Sequence, residues 1–180
     1  MSADAKLWRD FQQGDKQAFE AIFLRYHQEL FQYGSKMTRN HQLLDDSIQE
    51  LFLELWQSRK TLAAVVSIKA YLFRAIKFKL VRAIKKQLRE TSLSEDDPEL
   101  LEFSYEATLI AEQTAIALKQ QLLNIIRQLT PRQQEIIYLR YYSHMSYEEI
   151  GVIMGISYQA AVNLISKSKK FMREHMVYPS

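Results

Sequence analysis

Apolar positions recur along this chain at intervals of three and four residues, over stretches too long for strands, so the pattern predicts helices almost throughout. Gly14 and Asp15 mark a turn and an N-cap. Beyond them Phe19, Ile22, Phe23, Tyr26, Leu30 and Phe31 share one helical face and are expected in a core. A second helix is predicted from Leu43 to Gln57, with Ile48, Leu51, Phe52 and Leu55 as its apolar face. Asp45, Asp46, Gln49 and Glu50 lie largely across from that face, and Trp56 near its end suits either a core anchor or an interface. A third helix is predicted from Ile68 to about Arg89, where Leu72, Ile76 and Leu80 recur every fourth residue. Between Ala107 and Leu129 a further face is formed by Ile110, Ala117, Leu118, Leu122, Ile125, Ile126 and Leu129.

The last third reads as three short helices with punctuated ends. Thr130, Pro131 and Gln133 combine a capping hydroxyl, a proline with preset φ and an amide at the capping-box position, ahead of Ile136, Ile137 and Leu139. A break at Tyr142, Ser143 and His144 precedes a second box, Ser146 with Glu149, and a helix bearing Ile150, Ile153 and Met154. Gly155 ends it, and Ser157 caps a third helix on which Ala161, Ile165, Ser168 and Met172 face inward. Its other side carries Tyr158, Gln159, Val162, Asn163, Ser166 and Lys167. Two capped helices joined across Gly-Ile-Ser, the second presenting amides, hydroxyls and a cation, suit a helix-turn-helix in a major groove; an ordinary helical hairpin with a solvated face shares the same caps.

Composition narrows the class. With 4 glycines and 3 prolines in 180 residues, helices are favoured over a turn-rich sheet fold. The chain has no cysteine, which removes disulfides and thiolate metal sites and fits a reducing compartment. No leader-like N-terminus and no run of about 18 apolar residues is present, so a cytoplasmic location is expected.

The net charge of +3 conceals a strong segmentation. Residues 55–89 carry 10 basic and no acidic side chains, while residues 90–117 carry 8 acidic and no basic ones. The basic block, with Lys69, Arg74, Lys77, Arg82 and Lys85 on the third helix and Tyr71, Phe73 and Phe78 among them, suits a polyanion whose unstacked bases need rings. Phe73 is better read as core. The acidic block, broken by Asp96, Asp97 and Pro98, reads as a linker. The resulting expectation is an all-α protein of two small helical domains, 1–90 and 107–180, joined by an acidic linker at 91–106, the C-terminal domain containing the helix-turn-helix.

Catalysis has little support. There is no phosphate loop, zinc motif or nucleophile elbow, and His27 and His41 lack partners at metal-ligand spacing. Asp45 and Asp46 point about 100° apart on a helix and do not form a metal pair. No metal, cofactor or small-molecule substrate is expected.

The stretch Asp45-Asp46-Ser47-Ile48-Gln49-Glu50-Leu51-Phe52-Leu53-Glu54-Leu55-Trp56 resembles the polymerase-binding helix of extracytoplasmic-function (ECF) sigma factors of the sigma-70 family. Ala70-Tyr71-Leu72-Phe73-Arg74-Ala75-Ile76 resembles the start of that family's promoter-melting helix, and Thr130 to Met172 its second domain. The resemblance spans nearly the whole chain in the family's order. It implies a region 2-like domain followed by a region 4-like domain, in a non-catalytic subunit that directs bacterial core RNA polymerase to promoters.

On this resemblance Asp45, Asp46, Gln49, Glu50 and Trp56 would contact core polymerase. Gln57 to Ser67 would capture a flipped base, and Lys69, Arg74, Lys77, Phe78, Arg82 and Lys85 would hold the opened −10 strand. Ser157, Tyr158, Gln159, Val162, Asn163, Ser166 and Lys167 would read the −35 element as duplex. An anti-sigma factor, membrane-anchored in some members, would be a further partner of a chain that is monomeric when free. Three positions depart from the family: Phe78 stands for an asparagine, Val162 for a basic residue and Gly151 for an alanine. Helix propensity implies that the glycine costs under about 1 kcal/mol and nothing in function. The other reading of the residues is a free-standing dimeric helix-turn-helix regulator, which has no use for the basic aromatic block.

Overall fold

A computed structural model describes residues 3–90 and 113–176, with the side chains of 90 and 113–119 left out. The chain divides into two compact units between Glu99 and Leu100. The predicted linker at 91–106 and Ile110 lie outside the described residues, as do the side chains of Ala117 and Leu118. Among the described residues every regular element is helical.

The first unit contains α1 (Ala3–Gln12), α2 (Lys16–Gly34), α3 (His41–Ser58) and α4 (Ile68–Glu90). Gly14 adopts φ +93°, and the Asp15 carboxylate accepts from the Gln17 and Ala18 amides, which starts α2 where the turn was expected. Asn40 caps α3 in the same way through the Leu43 amide. α2, α3 and α4 pack against one another around Ile22, Leu30, Leu44, Ile48, Leu72, Ile76 and Leu80, all without solvent exposure. At Gly34 a β-carbon would collide with Leu44 Cδ1 and come within 3.0 Å of Leu80 Cδ1, so the glycine permits the close approach of all three helices.

Two expectations need correction here. The α2 stripe is not uniformly core: Phe19, Phe23 and Phe31 are half-buried. They form aromatic edges, Phe19 on Phe52 and Trp56, Phe23 on Phe52 and His27, and Phe31 stacked on His41. The core places are taken instead by Tyr33 and by Trp8 and Phe11 of α1, a helix outside the predicted set.

The second unit contains α5 (Gln113–Arg127), α6 (Pro131–Ile137), a π-helical turn (Tyr138–Tyr142), α7 (Tyr147–Met154) and α8 (Tyr158–His175). α8 packs on α5, α6 and α7 through Ala161, Ile165 and Ser168, against Ile125, Ile126, Leu129, Ile136, Ile137, Leu139, Ile150 and Ile153 in the same core. Both predicted capping boxes form, Thr130 with Gln133 and Ser146 with Glu149. α8 runs for 18 residues, from the predicted cap at Ser157 to just past Met172.

Candidate nucleic-acid interfaces

On α3, burial of Leu44, Ser47, Ile48, Leu51, Phe52 and Leu55 turns the opposite side outward. Asp46, Gln49 and Glu50 are exposed there, and the Gln42 amide donates to Asp46 at 3.0 Å. Asp45 is half-buried at the edge of the strip. Leu53, which sequence reasoning passed over, sits three and four residues from Glu50 and Gln49 and is 57% exposed. An exposed leucine ringed by carboxylates and amides is the signal that was available. Trp56 turns the other way: its ring lies 5.1 Å from Phe19 and 6.4 Å from Phe11, with the Arg59 guanidinium 4.2 Å over its face.

On α4, Arg74, Phe78 and Arg82 follow one another at four-residue spacing and are exposed. The Arg74 guanidinium stands 5.6 Å from the centre of the Phe78 ring, which is itself 51% exposed. Phe73 is fully buried against Tyr33, as expected of core. Lys77 and Lys85 are half-buried. Lys69 does not join the open strip: its ammonium lies 2.6 Å from Glu29 of α2 and 5.7 Å from the Phe73 ring.

The structure adds a relationship that linear patterns cannot show. The acidic strip of α3 and the basic strip of α4 are the two walls of one open groove of about 920 Å³. Asp46, Glu50 and Glu54 line one wall, and Phe78, Lys79, Arg82 and Lys86 the other. Lys79 crosses between them, 3.1 Å from Glu50 and 2.8 Å from Glu54. Burial pulls the Lys79 ammonium down, but hydrogen bonds and charge from Glu54 and Glu50 outweigh it and leave the pKa raised. Burial, with the Glu54 charge second, pushes the Tyr71 phenol up as well.

The connection from α3 to α4 is held by the helix that the sequence reading missed. The Trp8 indole N–H donates to the Ala63 carbonyl at 3.0 Å, and Ser67 caps α4 through the Ala70 amide. Between these ties Val66 is fully exposed.

In the second unit the turn of the helix-turn-helix is closed by Gly155 at φ +65°, and the Ile156 amide donates to the Gly151 carbonyl at 3.0 Å. A β-carbon on Gly151 would lie 2.8 Å from the Ile156 carbonyl oxygen, a backbone atom. Helix propensity is therefore not the whole account of Gly151, because a side chain there meets the backbone of the turn. The backbone amide of Glu148 and the Ser146 hydroxyl hold the exposed Glu148 carboxyl below its usual pKa. Ser157 caps α8 through the Ala160 amide. Tyr158, Gln159, Asn163, Ser166 and Lys167 are exposed along α8, whereas Val162 is half-buried and only partly presented. Behind Tyr158 stand Tyr147 in edge contact at 5.6 Å and Arg140, whose guanidinium lies 4.7 Å from the Tyr147 ring and donates to the Met145 carbonyl. A groove of about 490 Å³ beside α8 brings Arg132 and Gln133 of α6 next to Asn163 and Lys167. Arg132 was also missed, since in the sequence it is a lone cation in a cap.

Comparison with known families decides what these surfaces belong to. The model of sigma-70 region 2 matches residues 22–90, and that of sigma-70 region 4 matches residues 119–172. The chain belongs to the sigma-70 family. Among curated relatives it is 27% identical over 152 residues to the RNA polymerase sigma factor CarQ of Myxococcus xanthus, with 84% of each chain covered. It is 23% identical over 172 residues to the sigma factor YlaC of Bacillus subtilis, with 89% of this chain and 93% of the relative covered. The ECF sigma factor SigM of Bacillus subtilis is 21% identical over 138 residues, with 77% and 82% covered.

Two solved structures share the fold of this sigma factor. CnrH, in complex with the cytosolic domain of CnrY, superposes with a TM-score of 0.65 at 19% identity, covering 96% of both chains. RpoE of Bartonella quintana, in complex with the anti-sigma factor NepR, gives 0.62 at 19% identity, covering 87% and 95%. The chain is thus an ECF-type sigma factor, and the free-standing regulator is not favoured. Among the described residues there is no metal-binding cluster and no helix long and apolar enough to cross a membrane.

Proposed function

We propose that this sigma factor divides promoter recognition between its two units and acts without catalysis, in the cytoplasm, only when joined to core RNA polymerase. In the first domain, 1–90, Asp46, Gln49, Glu50 and Leu53 make the polymerase contact, with Asp45 at its edge. Trp56 supports this surface from behind, because its ring is packed between α1 and α2. Arg74, Phe78, Arg82 and Lys85 hold the separated strand, cations on phosphates and the phenylalanine under a base. Lys77 flanks this strip, and Lys69 positions α4 on α2 through Glu29. The connection around Val66, tied down by Trp8, accepts an unstacked base. In the second domain, 107–180, Tyr158, Gln159 and Ser166 face base edges with Asn163 beside Gln159, Val162 offers a partial apolar contact, and Ser157, Lys167 and Arg132 meet the backbone. The acidic residues 91–106 link the two.

The observation that carries this reading is the groove whose walls are the acidic strip of α3 and the basic strip of α4. A polymerase contact on one wall is thereby set beside a strand contact on the other, as a subunit that opens DNA within a larger enzyme requires. The structural relatives in complex with CnrY and with the anti-sigma factor NepR support an anti-sigma factor as a further partner. Run-off transcription with purified core polymerase tests the reading. Initiation at discrete start sites that depends on this chain supports it; tight duplex binding by the chain alone, with no specific initiation, refutes it.

A further inference from the structure

Gln159 and Asn163 lie one turn apart on the exposed side of α8, and Nε2 of Gln159 donates to Oδ1 of Asn163 at 3.0 Å. The contact clamps an amide that would otherwise turn freely. A primary amide has two N–H donors and one accepting oxygen. With one N–H committed to Asn163, Gln159 keeps a single N–H beside Oε1, a donor and an acceptor in a set order.

Adenine alone matches that pair in the major groove, with its N6 amino donor next to the N7 acceptor. Guanine presents two acceptors, which a glutamine serves only by turning both N–H groups outward and giving up its donation to Asn163. Thymine offers an acceptor beside a methyl group and cytosine a single amino donor, so neither satisfies both atoms of the amide. Ala160, next to Gln159, is exposed and carries only a methyl, which leaves the leading edge of α8 free to approach the base pairs. Lys167 and Arg132 share the neighbouring groove with Asn163, and as backbone contacts they add affinity without sequence information.

We propose that Gln159 reads one adenine in the upstream duplex and that Asn163 is the positioning residue that fixes it in the adenine-reading orientation. The proposal rests on the reading of α8 as the duplex-binding helix. Because the contact forms within the protein, part of the ordering of the Gln159 side chain precedes binding. Adenine should exceed guanine at this position by on the order of ten- to a hundredfold in affinity, the range of one bidentate pair.

The test uses the full chain bound to core polymerase and a randomised duplex library, with selected sequences compared between variants. Wild type should enrich a motif with one strongly adenine-specific position. Gln159→Ala should lose the preference there and keep it elsewhere. Asn163→Ala should weaken it at that same position, while Asn163→Asp, which retains the accepting oxygen, should preserve the base preference despite lower overall affinity. Arg132→Ala should weaken every selected sequence equally. In the selected duplex, 7-deazaadenine at that position should cost wild type about tenfold and Gln159→Ala nothing. An unchanged motif in Gln159→Ala, or guanine at the position it controls, overturns the proposal while leaving duplex reading by α8 intact. Failure to enrich any upstream motif removes the reading of α8 itself, and the proposal with it.

Discussion

The Lys79 ammonium lies 2.8 Å from the Glu54 carboxylate and 3.1 Å from that of Glu50, joining α4 to α3. The side chain of Lys79 is 18% exposed and those of its partners more than 60%, so solvent screens much of the attraction. Lys79→Met is expected to cost no more than about 1 kcal/mol of stability at neutral pH. The sign with pH follows from the raised pKa: the contribution is fully present below the unfolded lysine pKa and is lost as pH rises through the folded one. The raised Tyr71 phenol acts in the same direction. Thermal melts above about pH 10 should therefore fall more steeply in wild type than in Lys79→Met, and parallel slopes would show the clamp to be without energetic effect.

Gly151→Ala separates two physical arguments. Helix propensity alone predicts a gain of up to about 1 kcal/mol. The 2.8 Å approach to the Ile156 carbonyl predicts a net loss, since crowding a well-packed site costs about 1–3 kcal/mol. Chemical denaturation followed by circular dichroism should show the variant destabilised, with weaker duplex binding from a displaced α8.

Much of this was legible beforehand because it is local. Asp15, Thr130, Ser146, Gly155 and Ser157 act on amides within a few residues of themselves, and each caps or terminates the helix that its spacing announced. What escaped depends on distant pairing. Trp8 acquires its role from Ala63, and Arg132 from sharing a groove with Asn163 and Lys167 of α8. The division of the α4 cations was hidden for the same reason: Lys69 is drawn to Glu29 and Lys79 to α3, while Arg74 and Arg82 stay open. Nothing in their order along the helix distinguishes them.

Trp8→Phe keeps an aromatic ring against Phe11 and Tyr71 but removes the indole donor to Ala63. The lost hydrogen bond is expected to cost about 1 kcal/mol and to loosen the segment around Val66. Open-complex formation on a duplex promoter should slow several-fold, and a promoter already unpaired at the −10 element should restore it. An equal defect on both templates would place the effect in polymerase binding.

Charge reversal at Asp46 and Glu50 is expected to abolish binding to core polymerase with no change in helical content, because both side chains are exposed. Leu53→Asp should do the same, through loss of an apolar anchor rather than of charge. Fluorescence anisotropy against labelled core enzyme, beside far-ultraviolet circular dichroism, distinguishes a lost contact from a lost fold.

The central claim, that the first unit opens promoter DNA while α3 holds polymerase, is tested most directly by permanganate footprinting of unpaired thymines on a responsive promoter. Holoenzyme containing the wild-type chain should expose thymines in the −10 region. A Phe78→Ala, Arg74→Ala double variant should retain core binding and lose that reactivity. Undiminished strand opening by the double variant would contradict the account.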